Sequence, residues 1–312
     1  MKVLIIDDIH PFLLDFLEEK KIAYTYLPDC KKEDVLLLIE QYEGLIVRSK
    51  VKIEKSFLEK APKLRWIARA GSGMDNIDVA TAKERGIVLI NAPEGNRDAV
   101  AEHCLGMLLS LLNKIHTADR EVRQKIWQRE ANRGRELKGQ TVGIIGYGNT
   151  GREFARRLSA FGCQVLAYDH KEMISSDDFA QIVPLEILQK EADIISLHVS
   201  LNEKSRMMLN AKFIENCHKN FFLLNTSRGE VVDLAVLPHY LQNKKILAAG
   251  LDVLENEKLD TLSDKQREVF DMLSTLPNVL FTPHVAGWTA ESYRKISEVL
   301  AQKIIRIIKK NL

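Results

Sequence analysis

Thr141-Val142-Gly143-Ile144-Ile145-Gly146-Tyr147-Gly148-Asn149-Thr150-Gly151-Arg152 is the stretch on which the fold turns. A bare GxGxxG pattern says little. Here it follows a short apolar strand and opens a stretch with Phe154 and Leu158 four apart, the spacing of one helix face. Strand, glycine loop and helix together read as a dinucleotide site, and each glycine has its own reason. Gly146 permits the tight turn, Gly148 lets the backbone approach a pyrophosphate, and Gly151 lets helix and strand pack closely. The N–H groups of the loop and the helix start, from Tyr147 through Asn149 and Thr150, face the anion. Eighteen residues beyond Gly151, after the next strand, comes Asp169. A carboxylate there accepts hydrogen bonds from the ribose hydroxyls and repels a 2′-phosphate, which favours NAD over NADP, although His170 and Lys171 beside it leave NADP open.

Outward from this stretch, short apolar runs alternate with helically spaced ones. That is the pattern of βα units around a buried parallel sheet, so the fold class is α/β, with a doubly wound Rossmann sheet in the second part. Runs after Thr141 recur at Val165–Tyr168, Ile194–Leu197, Phe221–Leu224, Leu247–Leu251 and Val279–Phe281, six strands in all. Before it, Val3–Ile6, Tyr24–Leu27, Leu45–Val47, Trp66–Arg69 and Val88–Ile90 predict a smaller sheet. Between the two series, Asp98–Val122 reads as one long, largely buried helix. The closing helix Ala290–Lys310 puts Ile296, Leu300, Ile304 and Ile307 on one face.

The 312 residues suit two domains at roughly 150 residues each. Lys and Arg number 45 against 43 Asp and Glu, a balance that points away from nucleic acid and membrane and toward small-molecule partners. Cys30, Cys104, Cys163 and Cys217 are too scattered for a metal or redox pair, so no metal is expected and a reducing compartment fits. The N-terminus starts directly as a strand without signal-peptide features, and no window offers roughly 18 uninterrupted apolar residues, so the reading is a cytoplasmic protein.

In open α/β sheets ligands sit beyond the carboxyl ends of the strands. Arg228, Glu257 and His284 follow the late strands, and together they supply what reversible oxidation of a hydroxy acid needs besides the cofactor. The Arg228 fork can grip a carboxylate and polarise a carbonyl. His284 can give a proton to a forming alkoxide or take one back. Glu257 beside it would favour the imidazolium and fix its orientation. Position alone leaves blander readings open: His284 as an ordinary surface or core histidine, Arg228 paired with an acid, Glu257 in a solvated loop.

At these residues the chain resembles the D-isomer-specific 2-hydroxyacid dehydrogenase family over nearly its whole length. The motifs fall in order: Val47-Arg48-Ser49, Arg69 to Asp78, Asn91-Ala92-Pro93, Ala99-Val100-Ala101-Glu102, Thr141 to Arg152, Asn225 to Gly229, Leu251-Asp252-Val253 and Thr282 to Gly287. The resemblance implies that Arg228, Glu257 and His284 are catalytic. It implies that His198, Thr226 and Asp252 join the glycine loop around the cofactor, Asp252 on the nicotinamide carboxamide, and that Ser72, Gly73 and Asn96 contact substrate. It also implies a flavodoxin-like substrate domain made of residues 1–93 plus 285–312, a Rossmann domain of residues 94–284, and a homodimer through 98–122.

Within the family the chain most resembles the catalytic part of the D-3-phosphoglycerate dehydrogenases, where Arg48, Arg69 and Arg129 would surround an acidic substrate. Glyoxylate or hydroxypyruvate reductases and D-lactate-type enzymes are the alternatives, and an NAD-sensing corepressor is the alternative of another class. Three positions depart from the family. Lys258 and Ser200 stand where prolines are usual, and 256–275 is longer and more charged; Lys258 is expected to loosen the Glu257 loop.

Overall fold

The computed structural model describes residues 1–171 and 173–310; residues 311 and 312, assigned above to the small domain, lie outside the described residues. The chain forms two compact units, one of Met1–Arg97 with the segment from Trp288 onward, the other of Asp98–Gly287. The first unit holds five strands, β1 (Lys2–Ile5), β2 (Ala23–Tyr26), β3 (Gly44–Val47), β4 (Trp66–Arg69) and β5 (Val88–Asn91). All pair in parallel, in the order β2-β1-β3-β4-β5, which is flavodoxin-like. Strands buried on both faces read as unbroken apolar runs, and Val3, Leu4 and Ile5 with Leu45, Ile46 and Val47 are all fully buried. The closing helix Ala290–Lys310 lays Ile296, Leu300 and Ile304 against Val3, Ile5, Leu13 and Trp66.

The second unit adds β6 (Thr141–Ile145), β7 (Gln164–Tyr168), β8 (Gln181–Ile182), β9 (Ile194–Leu197), β10 (Phe221–Asn225), β11 (Ile246–Leu251) and β12 (Val279–Phe281). Their order, β12-β11-β10-β9-β6-β7-β8, is the doubly wound Rossmann order with one strand more at its far edge. The sequence reading has six of these strands. It lacks β8, whose two residues are too short to show a period.

The expected helix Asp98–Val122 is two helices, Pro93–Leu112 and Ile115–Arg123. The first starts on a proline, which suits a first helical position because its missing N–H has no intrahelical partner there. It stops where Lys114 takes φ 53°, a left-handed backbone that no α-helix continues through. Its apolar run goes into the second unit's core through Cys104, Met107, Leu108, Leu111 and Leu112. Among the described residues, no helix is long and apolar enough to cross a membrane.

Candidate active site

The glycine loop lies where β6 and β9, neighbours in the sheet, send their connections to opposite sides. Gly146 sits at φ 95°, and a Cβ there would meet the His198 carbonyl oxygen, just past β9, at 2.5 Å. A Cβ on Gly151 would come within 2.1 Å of the Gly146 oxygen, so helix and loop touch through backbone. Gly148 faces open space. It also caps the helix Asn149–Leu158 with no side-chain hydrogen bond, leaving the first-turn N–H groups for an anion. This cradle fits a dinucleotide pyrophosphate.

Tyr147 supports the loop from inside. Its N–H donates to Asp169 Oδ2 at 2.9 Å and its buried hydroxyl to Asp177 Oδ1 at 2.8 Å; burial, then Asp177, raises its pKa. Asp169 also accepts the Lys171 N–H at 3.0 Å. Two of a carboxylate's roughly four acceptor positions are thus filled, and His170 Nδ1 stands 3.5 Å from Oδ1. His198 hydrogen-bonds Ser196 Oγ through Nε2 at 2.8 Å and packs on Phe154. Its Nδ1 is buried without a partner among the described residues, and burial lowers its pKa to about 4. The ring is therefore neutral behind the glycine loop. Thr226 Oγ1 lies 3.1 Å from Cys104 Sγ.

Two turns present the candidate catalytic side chains Arg228 and His284. After β10, buried Asn225 folds the first: its Oδ1 accepts from Ser227 N–H (3.0 Å) and Oγ (2.7 Å), and its Nδ2 donates to the Arg228 carbonyl at 2.9 Å. After β12, His284 takes φ 54°, a left-handed backbone that strains a residue with a Cβ. Asp252, only 1% exposed, holds this turn. Its backbone carbonyl accepts the His284 N–H at 2.7 Å, and its carboxylate accepts from Thr282 Oγ1 (2.5 Å), Val285 N–H (3.0 Å) and Ala286 N–H (3.0 Å). The His284 ring then meets Glu257 through Nδ1, at 2.8 Å from Oε1 and 3.0 Å from Oε2. Both side chains are 46% exposed, so the pair is within reach of a ligand.

The expected loosening by Lys258 is not what the geometry shows. The Lys258 N–H, which a proline would lack, donates to Asn256 Oδ1 at 3.0 Å, and Thr261 Oγ1 donates back to the Lys258 carbonyl at 2.9 Å. The charged stretch that follows contains the helix Asp264–Thr275, opened by a Ser263–Gln266 capping box. Arg129 stands on an exposed stretch, and no hydrogen bond or ion pair joins it to Arg228, Glu257 or His284 among the described residues.

In the first unit Arg48 follows β3, Arg69 ends β4, and Ser72 and Gly73 follow in the next turn. Ser72 Oγ donates to Asn96 Oδ1 in the first turn of Pro93–Leu112, and Asn91 Nδ2 donates to the Ser72 carbonyl. The Arg48 guanidinium lies 3.7 Å from the ring centroid of Trp288. Sequence reasoning misses Trp288 and His103, whose Nε2 is 3.0 Å from Thr282 Oγ1. For Trp288 the available signal is a large aromatic directly after the Thr282–Gly287 motif.

The profile of the family described as "D-isomer specific 2-hydroxyacid dehydrogenase, NAD binding domain" matches residues 105–286. A hydroxypyruvate reductase of Thermotoga maritima is 37% identical over 289 residues, 93% of this chain and 91% of that protein. A D-3-phosphoglycerate dehydrogenase of Archaeoglobus fulgidus is 33% identical over 99% of this chain but only 58% of its own length, so the chain spans little more than half of that relative. The solved structure of Aquifex aeolicus D-lactate dehydrogenase, complexed with NAD and lactic acid, superposes with a TM-score of 0.86 at 28% identity, over 99% of this chain and 96% of that one.

Proposed function

We propose a reaction from one premise: the chain belongs to the D-isomer-specific 2-hydroxyacid dehydrogenase family, and its second unit carries that family's NAD-binding domain. The reaction is the NAD-dependent interconversion of a D-2-hydroxy acid and its 2-oxo acid. The observation that carries it is the His284–Glu257 contact of 2.8 Å on a turn held in left-handed backbone. NAD(H), when bound, supplies or accepts the hydride. The chain's side chains do the rest.

Glu257 accepts from Nδ1, which fixes that nitrogen as the one bearing hydrogen and leaves Nε2 to exchange a proton with the substrate oxygen. In the reducing direction His284 starts as the imidazolium, gives its Nε2 proton to the carbonyl oxygen, and keeps Nδ1–H on Glu257. Arg228, on the turn that Asn225 folds, takes the substrate carboxylate and draws charge toward the carbonyl oxygen. Asp169 and the helix start hold the dinucleotide, and Asp252 holds the His284 turn with one acceptor position left for the carboxamide. Arg48, Arg69, Ser72, Gly73, Asn96 and Arg129 are the proposed substrate contacts.

The relatives and neighbours named above act on small 2-hydroxy or 2-oxo acids, which supports that substrate class. We place the protein in the cytoplasm as a homodimer through the 98–122 region, where Ile115 (56% exposed) and Val122 (50%) leave apolar surface in the open. Light scattering checks the dimer. The reaction is tested by following nicotinamide absorbance with NADH and NADPH on a panel of 2-oxo acids. His284→Ala should lower kcat/KM about a hundred- to ten-thousand-fold while NADH binding is kept. A near-normal rate in that variant overturns the assignment.

A further inference from the structure

Asp252 is a charge buried inside the second unit at 1% exposure, and a charge taken out of water has to be matched. Among the described residues one basic side chain comes within ion-pair distance of it: His103, with Nε2 3.6 Å from Oδ1. The closer contact runs through Thr282, whose Oγ1 is 3.0 Å from Nε2 and 2.5 Å from Asp252 Oδ1. A threonine hydroxyl carries a single hydrogen, and a carboxylate only accepts. Asp252 therefore takes the Thr282 hydrogen, and His103 must donate from Nε2 to the hydroxyl oxygen. The row from His103 through Thr282 to Asp252 has one direction.

Two neighbours on the helix Pro93–Leu112 reach the two turns described above. Cys104 Sγ lies 3.1 Å from Thr226 Oγ1, after β10, and His103 meets Thr282, after β12. Cys104 is fully buried and packs in the core, whereas the His103 side chain is 24% exposed. An apolar side chain would serve packing at position 103; only a donor serves Thr282. Thr282 stands two residues before His284, and Asp252 gives its other contacts to the same turn. Its carboxylate accepts the Val285 and Ala286 N–H groups and its carbonyl accepts the His284 N–H. What orients that carboxylate also holds His284 at φ 54°, a backbone that needs holding.

We propose that His103 is a positioning residue for the reaction: by donating to Thr282 it fixes the Asp252 carboxylate on the turn and so keeps the His284 ring in place. This rests on the reaction proposed above. It adds to that reaction a side chain that, among the described residues, makes no hydrogen bond to Glu257 or His284.

The test is a double-mutant cycle on His103→Leu and Thr282→Val, assayed at saturating NADH on the 2-oxo acid that wild type reduces fastest. His103→Leu should lower kcat about tenfold, equivalent to about 1.4 kcal/mol, and change the KM of the acid less than about threefold. In the Thr282→Val background the same substitution should change kcat less than about twofold, because the hydroxyl through which His103 acts is gone. His103→Gln brings an amide nitrogen near the place of Nε2 and should recover most of the rate; His103→Asn, one bond shorter, should not. An unchanged kcat in His103→Leu, losses that multiply in the double variant, a change confined to KM, or a glutamine no better than leucine overturns the proposal. If circular dichroism shows His103→Leu unfolded, glutamine and asparagine decide alone: a kcat about fivefold higher with glutamine, equivalent to about 1 kcal/mol, supports the proposal, and equal rates overturn it.

A second readout needs no turnover. In urea melts of wild type, the two single variants and the double variant, His103→Leu should lower the midpoint clearly in the wild-type background and much less beside Thr282→Val. Equal shifts in the two backgrounds overturn the proposal. Coupled melts with a kcat indifferent to residue 103 also overturn it, because the contact then serves stability alone. If no 2-oxo acid is turned over yet the melts are coupled, the reaction fails and the hold of His103 on the turn stands.

Discussion

The two units each have a switch point, and the two are made of different material. In the second unit, between β6 and β9, the wall is backbone: the Gly146 turn against the His198 carbonyl, the Gly151 helix against the Gly146 carbonyl, and an uncapped helix start. In the first unit, between β1 and β3, it is side chains: Asp8, Arg48, Trp288 and Tyr293. A backbone wall is specified by what is missing, a Cβ, and tolerates no added volume. A side-chain wall is specified by what is present, and its parts can be changed one at a time. The first kind suits a ligand whose contacting part does not vary, such as a pyrophosphate; the second can be altered by single substitutions.

The largest effect that separates them should come from Gly151→Ala. The new Cβ meets backbone at 2.1 Å, which no rotamer change relieves, so loop or helix must move. NADH should bind about a hundredfold more weakly, a loss of about 2.7 kcal/mol, measured by fluorescence titration. Gly106→Ala, in the helix Pro93–Leu112 and outside the loop, is the control, because nothing lies within 4 Å of its Cβ; it should cost less than about threefold. If both alanines weaken NADH alike, the loop is not volume-limited and the contrast between the units collapses.

That contrast also explains how much of the fold and the site is legible in the sequence. The backbone-built site lies in one continuous stretch, so the spacing of Gly146, Gly148 and Gly151 behind an apolar strand is enough to declare the second unit's fold. Arg228 and His284 stand at strand ends, and the apolar runs locate those ends. Trp288 could not be found this way, because its partner is two hundred and forty residues earlier in the chain and no spacing rule links them. Nor could the break at Lys114, where apolar spacing continues although the backbone turns left-handed. Lys258 misleads for a related reason: losing a proline suggests a looser loop, while Asn256, which ties the turn, is an ordinary residue until the fold closes on it.

A smaller effect sharpens the comparison at Asp252, where the second unit does rest on a side chain. Asp252→Asn keeps the shape but sets an amide against the Val285 and Ala286 N–H groups, one of which loses its acceptor. About 2 kcal/mol of stability should go, the range for a hydrogen bond to a buried charge, and kcat should fall with it as the His284 turn relaxes. Tyr293→Phe in the first unit removes one hydroxyl from exposed Asp8 and should cost less than about 1 kcal/mol. Urea melts of the two variants measure both numbers. A larger loss for Tyr293→Phe would mean that the side-chain wall is the stiffer one.

The smallest effect is a pH dependence that belongs to the second unit's wall. Burial holds the His198 pKa at about 4, below the 6.5 of a free imidazole. Between those two values the unfolded chain binds a proton at residue 198 that the folded chain does not. Protons therefore favour unfolding in that window: stability is retained above pH 6.5 and is drawn down as the pH falls toward about 4. His198→Gln keeps a polar partner for Ser196 Oγ and removes the titration. The melting temperature of wild type should then fall more steeply than that of the variant between pH 6.5 and 4, with the two curves parallel above neutrality. Parallel curves over the whole range would mean that the His198 ring takes up its proton in the folded state as readily as in solution, and the wall behind Gly146 would have to be open to water.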